Sequence, residues 1–387
     1  MRIVEHGILN LGVPGGRRAV ATFPSITTIC DGRTLATYRG GSTKDSDDET
    51  IEFRYSADEG RNWGAPFQPF SSTFDGRRGS LKAAYVTALA GTRLVASVLW
   101  VDRQAFPGKP LFNEKTEGCL PMAILLAESS DLGQTWTSWQ VVPMAEGIGP
   151  PSLTSPLLRL SSGRWALSVE TNKNYLDEST WLQRVVYLYS SDEGHTWSQP
   201  VTVSQDPTGR IFNWDQRAGI ARDGRLVTFS WTYDRQLNVY LNVHRRLSFD
   251  EGLTWTEPQD LGFADQASRP AILPDGRIVL AWVDRFQTHT IRARSAEALD
   301  APFDAESEVV LYEHSATAST SPAGDTGEML AEMGVWSFGL PFAEALPSGD
   351  VLVVFYAGSL DCMSIHWTRL ALENGGSTLS GPFGRLR

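Results

Sequence analysis

Cysteine is nearly absent from this chain: three residues in 387, Cys30, Cys119 and Cys362. They are odd in number and far apart, so neither a disulfide framework nor a metal knuckle is expected, and no metal or cofactor is assigned. Positive charge is in deficit. Lys and Arg total 34 against 45 Asp and Glu, a net charge of −11. A nucleic-acid-binding surface is therefore not expected. A local basic pocket stays compatible with that balance, because whole-chain charge does not set the potential inside a cleft. No run is long and apolar enough to span a bilayer, so no membrane partner is expected. The start, Met1-Arg2-Ile3-Val4-Glu5-His6-Gly7, lacks the apolar stretch of a signal peptide. A reducing cytoplasm is the expected compartment, unless a leader has been removed. No window reads as a long amphipathic helix with caps.

What the chain has in quantity is aromatics and turn formers: 13 Trp, 17 Phe and 10 Tyr beside 35 Gly and 21 Pro. That combination predicts many short strands joined by hairpins. One octet recurs four times: Ser56 to Trp63, Ser129 to Trp136, Ser190 to Trp197 and Ser248 to Trp255, all S-x-D-x-G-x-[TN]-W. In each copy the Asp can accept bonds from its own loop's N–H groups and fix a tight turn. The Gly supplies positive φ. The Trp offers a broad apolar face with one polar N–H, suited to a sheet edge. The octet resembles the Asp-box, the hairpin signature of sialidase-type β-propellers (BNR repeats). The resemblance implies that these hairpins lie on the face away from the active site. Asp58, Asp131, Asp192 and Asp250 are accordingly read as structural.

A second signal counts the repeats. A Gly turn followed by an apolar strand occurs at Gly32, Gly91, Gly163, Gly224, Gly276 and Gly349. Asp-Gly between apolar runs is a strong hairpin signal. Four strands per repeat and six repeats predict an all-β, six-bladed β-propeller of four antiparallel strands per blade. The blades are placed roughly at 13–72, 73–145, 146–205, 206–262, 263–312 and 330–375, one domain over 1–387. Residues 1–12 are expected to add the outer strand to the sixth blade and close the ring, which removes an open edge.

In a propeller, ligands usually sit at the axis on one face. The resemblance implies that two connections per blade build that face: the one entering the innermost strand and the one leaving the second. Those loops offer the carboxylates Asp48, Glu170, Asp215, Asp265 and Glu344. Asp48, Glu170, Asp215 and Glu344 are the candidate catalytic set. Arg39, Arg217, Arg269, Trp214, Gln266 and Tyr356 are the candidate substrate-binding set. Trp faces stack on sugar rings, and Arg forks bind carboxylates in bidentate fashion. A W-x(1–2)-D-R pattern recurs at Trp100–Arg103, Trp231–Arg235 and Trp282–Arg285. Repetition at equivalent places favours a structural ion pair over a sugar-binding ring.

Sialidases resemble this chain over nearly its whole length, yet their catalytic residues map poorly. Thr22 stands where the family has its first arginine, and the second maps near Val243. Arg269 could supply the third, and Asp215 lies near the assisting glutamate. The stretch Gly339-Leu340-Pro341-Phe342 has no tyrosine for the nucleophile. The acid loop, Thr43 to Glu49, keeps several carboxylates, with Asp47 or Asp48 as the nearest match. The leading expectation is thus a sialidase-like hydrolase of a glycan, anionic glycans included, working through paired carboxylates. A uronate lyase using His244, His289, Tyr233 or Tyr175 as base is one alternative. A carbohydrate-binding propeller without catalysis is the other.

Overall fold

The computed structural model describes residues 1–315 and 325–372. The chain is all-β apart from short helical turns, the longest being α1 (Thr326–Glu332). Most strands follow one another as antiparallel neighbours in runs of three or four, and the first and last runs join in one sheet through a parallel pairing of Val20 with Met363. The first run is Val20–Thr28, Thr34–Gly41 and Thr50–Ser56, extended by a bridge from Phe53 to Phe67. The second is Arg77–Ala88, Leu94–Asp102, Met122–Ser129 and Gln140–Val141. Leu158–Arg159, Trp165–Glu170, Arg184–Ser190 and Val201–Gln205 make the third. Ile211–Ile220, Leu226–Asp234, His244–Ser248 and Gln259–Asp260 make the fourth. In the fifth, Gln266–Ala267 and Ala271–Ile272 both pair with Ile278–Asp284, followed by Thr290–Ala296 and Val309–Glu313. In the last, Phe338–Ala345, Val351–Ser359 and Cys362–Ala371 are completed by the N-terminal strand Arg2–Asn10.

The second strand of each run lies deepest. Thr34–Gly41, Leu94–Asp102, Trp165–Glu170 and Leu226–Asp234 are buried at every position. Leu94–Asp102 and Trp165–Glu170 read as near-continuous apolar runs for that reason, whereas in Leu226–Asp234 Thr228, Ser230 and Thr232 alternate with Val227, Phe229 and Trp231 and are buried as well.

All six Gly turns have the same geometry. Gly32, Gly91, Gly163, Gly224, Gly276 and Gly349 have φ between 64 and 94°. In each, an apolar N–H reaches across the turn to a carbonyl four residues on, as in Ile29 to Arg33 (2.9 Å) and Leu273 to Arg277 (2.8 Å). The Ser-Asp-Gly-Trp turns share a Ser–Asp–Gly bond set too, which the Trp indole joins in all but the first. Ser190 Oγ donates to Asp192 Oδ1 at 2.8 Å and accepts from Gly194 N at 2.7 Å. Asp192 also accepts from Thr196 N and Oγ1 (2.8 and 2.7 Å), and Trp197 Nε1 donates to the Gly194 carbonyl (2.9 Å). Left-handed backbone begins one residue earlier than the Gly: Glu59, Leu132, Glu193 and Glu251 have φ of 54–62°. In three of the four turns that residue reaches the preceding run. Glu59 bonds Arg369 and Ser348, Glu193 bonds Arg93, and Glu251 bonds Arg164 and Ser162.

Register places these turns. Thr34 pairs with Ser56, Leu94 with Ser129, Trp165 with Ser190 and Leu226 with Ser248. The Ser-Asp-Gly-Trp turns therefore share the end of each sheet with the Gly turns. The opposite end gathers the starts of the inner strands and the ends of the second strands.

At that opposite end four inner strands break register. The breaks fall between Thr22 and Ser25, Leu81 and Ala83, Trp214 and Arg217, and Gly339 and Phe342. A bulge leaves a residue unpaired and re-aims its side chain. Phe23, Asp215 and Leu340 take positive φ there, 52, 49 and 46°.

Candidate functional site

The four bulges converge. Phe23, Lys82, Asp215 and Leu340, one from each, all line a single cavity of 370 Å³. That volume is within the usual range of a small-molecule site. Residues from the ends of second strands and their loops complete the floor: Arg39, Lys44, Asp45, Glu170, Tyr356, with Gln266 from the fifth run. Leu330, Met333 and Trp336, in and just after α1, form a roof.

One side of the floor is a compact charge network. Lys82 Nζ lies 2.6 Å from Asp45 and 3.2 Å from Glu49. Arg103 contacts the same two carboxylates at 2.7 and 3.3 Å and donates to Ser80 Oγ at 2.8 Å. Arg39 pairs with Glu49 at 3.2 Å and donates to Thr22 Oγ1 and the Lys44 carbonyl. Its Nη1 is buried with no hydrogen-bond partner. Burial opposes the charge on Asp45, but Lys82 and Arg103 hold it well below the usual carboxylate range. Burial raises Glu49, and the surrounding cations only partly offset that.

The other side holds two carboxylates in contrasting settings. Glu170 Oε1 accepts from Gln216 N at 2.8 Å and Thr154 Oγ1 at 2.9 Å. Burial pushes its carboxyl up to about 8, and the Asp215 charge adds to the rise. Asp215 immediately precedes the amide that Glu170 accepts. It accepts from Arg217 Nη2 at 2.9 Å and from Gln266 Nε2. Arg217 also donates to the Tyr85 hydroxyl at 3.0 Å. One acid is thus biased to keep its proton, and its neighbour is held by a guanidinium.

Between the two sides stands Lys44. Its Nζ donates to the carbonyls of Met333 (2.7 Å) and Trp336 (2.6 Å) and lies 3.1 Å from the Tyr356 hydroxyl. Burial, then Arg285, Arg39 and Lys82, drive its basicity well below that of an ordinary lysine. Arg285 stacks on Trp336 at 4.2 Å and reaches Gln266 Oε1 at 3.3 Å. Burial pushes the Tyr356 phenol up to about 12.

Of the residues picked out from sequence, Arg39, Glu170, Trp214, Asp215, Gln266 and Tyr356 line the cavity, and Arg217 supports Asp215 from behind. Three do not join them. Asp48 lies outside: it accepts from Ser42 N, Ser42 Oγ and Ser46 Oγ (3.0, 3.1 and 2.6 Å) and closes its own loop. Within that loop it is Asp45, not Asp47 or Asp48, that turns inward. Glu344 and Arg269 pair with each other and line a separate cavity with Pro274, Leu346 and Pro347, at the Gly-turn end. The reason is strand length. At about 3.3 Å per residue, Glu344 lies roughly 13 Å along its strand from the bulge at Leu340. Among the bases considered for a lyase, His244, His289, Tyr233 and Tyr175, none lines the cavity. The aspartates of the W-x-D-R pattern hold turns: Asp102 accepts from the N–H of Gln104 and Ala105, and Asp234 from Gln236 and Leu237. Two of its arginines, Arg103 and Arg285, back the cavity instead.

Lys44, Lys82, Trp181 and α1 were not singled out; Asp45 and Trp231 fell within the acid loop and the W-x-D-R pattern but outside the candidate set. One signal existed for α1: Asp325 three residues before Glu328 is a cap signature, and Asp325 Oδ1 accepts from Glu328 N at 2.9 Å. Nothing in the sequence marks the bulge that aims Lys82.

No protein-family model matches this chain, and no curated protein matches it. Solved structures do. A protein of unknown function from Dyadobacter fermentans is similar with a TM-score of 0.72 and 20% identity, over 96% of this chain and 99% of that one. The intramolecular trans-sialidase of Ruminococcus gnavus, solved with oseltamivir carboxylate, gives 0.64 and 13%, over 94% and 96%. The leech intramolecular trans-sialidase gives 0.64 and 12%, over 94% of this chain and 70% of that one. At these identities the likeness speaks for the fold alone: the chain has a sialidase-like, all-β fold.

Proposed function

We propose that this protein is a glycoside hydrolase built on a closed six-bladed propeller of one domain, with its active site in the bulge-lined cavity. The six antiparallel runs, the Arg2–Asn10 strand completing the last run and the ties between consecutive runs support the architecture. The single observation that carries the activity is the contrast between Glu170 and Asp215. A buried carboxyl that keeps its proton, beside a second carboxylate paired with an arginine, is what acid-assisted glycoside cleavage needs. Glu170 carries the proton. It delivers that proton to the glycosidic oxygen as the bond to the anomeric carbon breaks. Asp215, oriented by Arg217 and Gln266, faces the positive charge that develops on the sugar and acts as base or nucleophile. The indole faces of Trp181 and Trp214 receive the ring, and Arg39 on the cavity wall meets a polar or anionic substituent.

The test is a screen of neutral, uronate and sialic acid glycosides for release of reducing sugar, with the ultraviolet absorbance of unsaturated uronates followed in parallel. Hydrolysis that disappears in Glu170→Gln and Asp215→Asn supports the reading. Unsaturated product would instead establish β-elimination, and binding with no turnover a carbohydrate-binding protein.

A further inference from the structure

We infer that the roof of the cavity is a subsite for an apolar aglycone, an aryl or alkyl group carried on the anomeric oxygen. This rests on the glycosidase reading and names the class of substrate within it.

The cavity walls divide by chemistry. The floor is polar and mostly charged: Arg39, Lys82 and Asp45 on one side, Glu170, Asp215 and Gln266 on the other. The roof is of another kind. Leu111, Phe112 and Met122 from the second run face Leu330, Met333 and Trp336 from α1 and the residues after it. Aromatic rings alone would suit the face of a sugar. Leu and Met do not: they offer no hydrogen bond, and a hydroxyl pressed against them loses water without gaining a partner. Met is also the side chain that best moulds itself to irregular apolar shapes.

Helix α1 is not merely core with one side left over. Met329 is fully buried and packs with Trp181, Phe212, Trp231 and Tyr233 in one apolar cluster. Met329 does not line the cavity; Leu330, Ala331, Met333 and Gly334 do. Leu330, Met333 and Trp336 belong to that same apolar cluster and line the cavity as well, so the roof is held in place by the core it packs on. Lys44 fixes that placement through the Met333 and Trp336 carbonyls. A sugar bound to the charged floor, with its anomeric oxygen toward Glu170, leaves the roof for whatever that oxygen carries.

The experiment titrates the protein calorimetrically with matched methyl and hexyl glycosides, both anomers, of glucose, galactose, N-acetylglucosamine and N-acetylneuraminic acid. Each buried methylene strengthens binding roughly fourfold. For the sugar that binds, we expect the hexyl glycoside to bind at least about tenfold more tightly than the methyl one. Met333→Gln and, separately, Ala331→Asp should each cut that advantage by about threefold or more. Ala331 is exposed on α1, so its variant tests the roof without disturbing the core, and a melting curve checks that each variant is folded. Equal affinity for methyl and hexyl glycosides overturns the inference and leaves the hydrolase reading standing. A hexyl advantage that survives both substitutions also overturns it. If no glycoside binds, both readings fall.

Discussion

Glu170 makes opposite demands on catalysis and stability. As a proton donor it must be protonated, so activity should fall as pH rises through about 8, the value to which burial lifts it. The linkage sign follows from that rise. A carboxyl whose folded pKa exceeds its unfolded value of 4.5 favours the folded state most below 4.5, and the advantage is lost as pH climbs to about 8. Glu170→Gln should therefore abolish turnover yet raise the melting temperature at pH 8.5 by roughly 2 °C or more. A melting scan showing no gain at pH 8.5 would count against a buried, charge-opposed Glu170. Asp48→Asn and Glu344→Gln should keep at least about half of wild-type activity, because neither side chain reaches the cavity. An assay showing loss in either would relocate the site. At this scale the sequence was legible where a residue's loop placed it, as with Glu170, Asp215 and Tyr356. It did not foretell that Asp48 closes its own loop, or that Glu344 lies toward the Gly-turn end of its strand.

Among the elements, α1 has the most specific attachment. Its C-terminal end is held by an ammonium from another run, and cations suit helix C-termini. Lys44→Met keeps the length and removes the donors to Met333 and Trp336. Amide exchange over residues 329–336 should then quicken about tenfold, with the strand amides unchanged; equal protection in the variant would show that apolar packing alone holds the helix. Strands and turns were legible because apolar runs and Gly turns are local signals. The bulges were not. One unpaired residue shifts the two-residue alternation without leaving a compositional mark, so Lys82 reads from sequence as an ordinary strand lysine. Helix α1 was passed over because it is a single short piece of seven residues, below the length at which periodicity speaks.

For the whole molecule, the strand Arg2–Asn10 completes the last run by pairing with Cys362–Ala371. Removing residues 1–11 would bare that strand's edge, and bare edges recruit other chains. The truncated protein should elute as oligomers or aggregate in size-exclusion chromatography, whereas Glu251→Gln, which loosens one tie between consecutive runs, should stay monodisperse and melt only about 1 °C lower. The four bulges have a consequence for reuse of this scaffold. A bulged residue has no partner directly opposite in the ladder, so its side chain is largely exempt from the pairing preferences that constrain its neighbours. Of the four, Lys82 and Asp215 are tied to charged partners, so Phe23 and Leu340 are the two bulge positions open to exchange on this chassis. Exchanging them, singly or together, can retune what the cavity accepts while the strands that carry them keep their register.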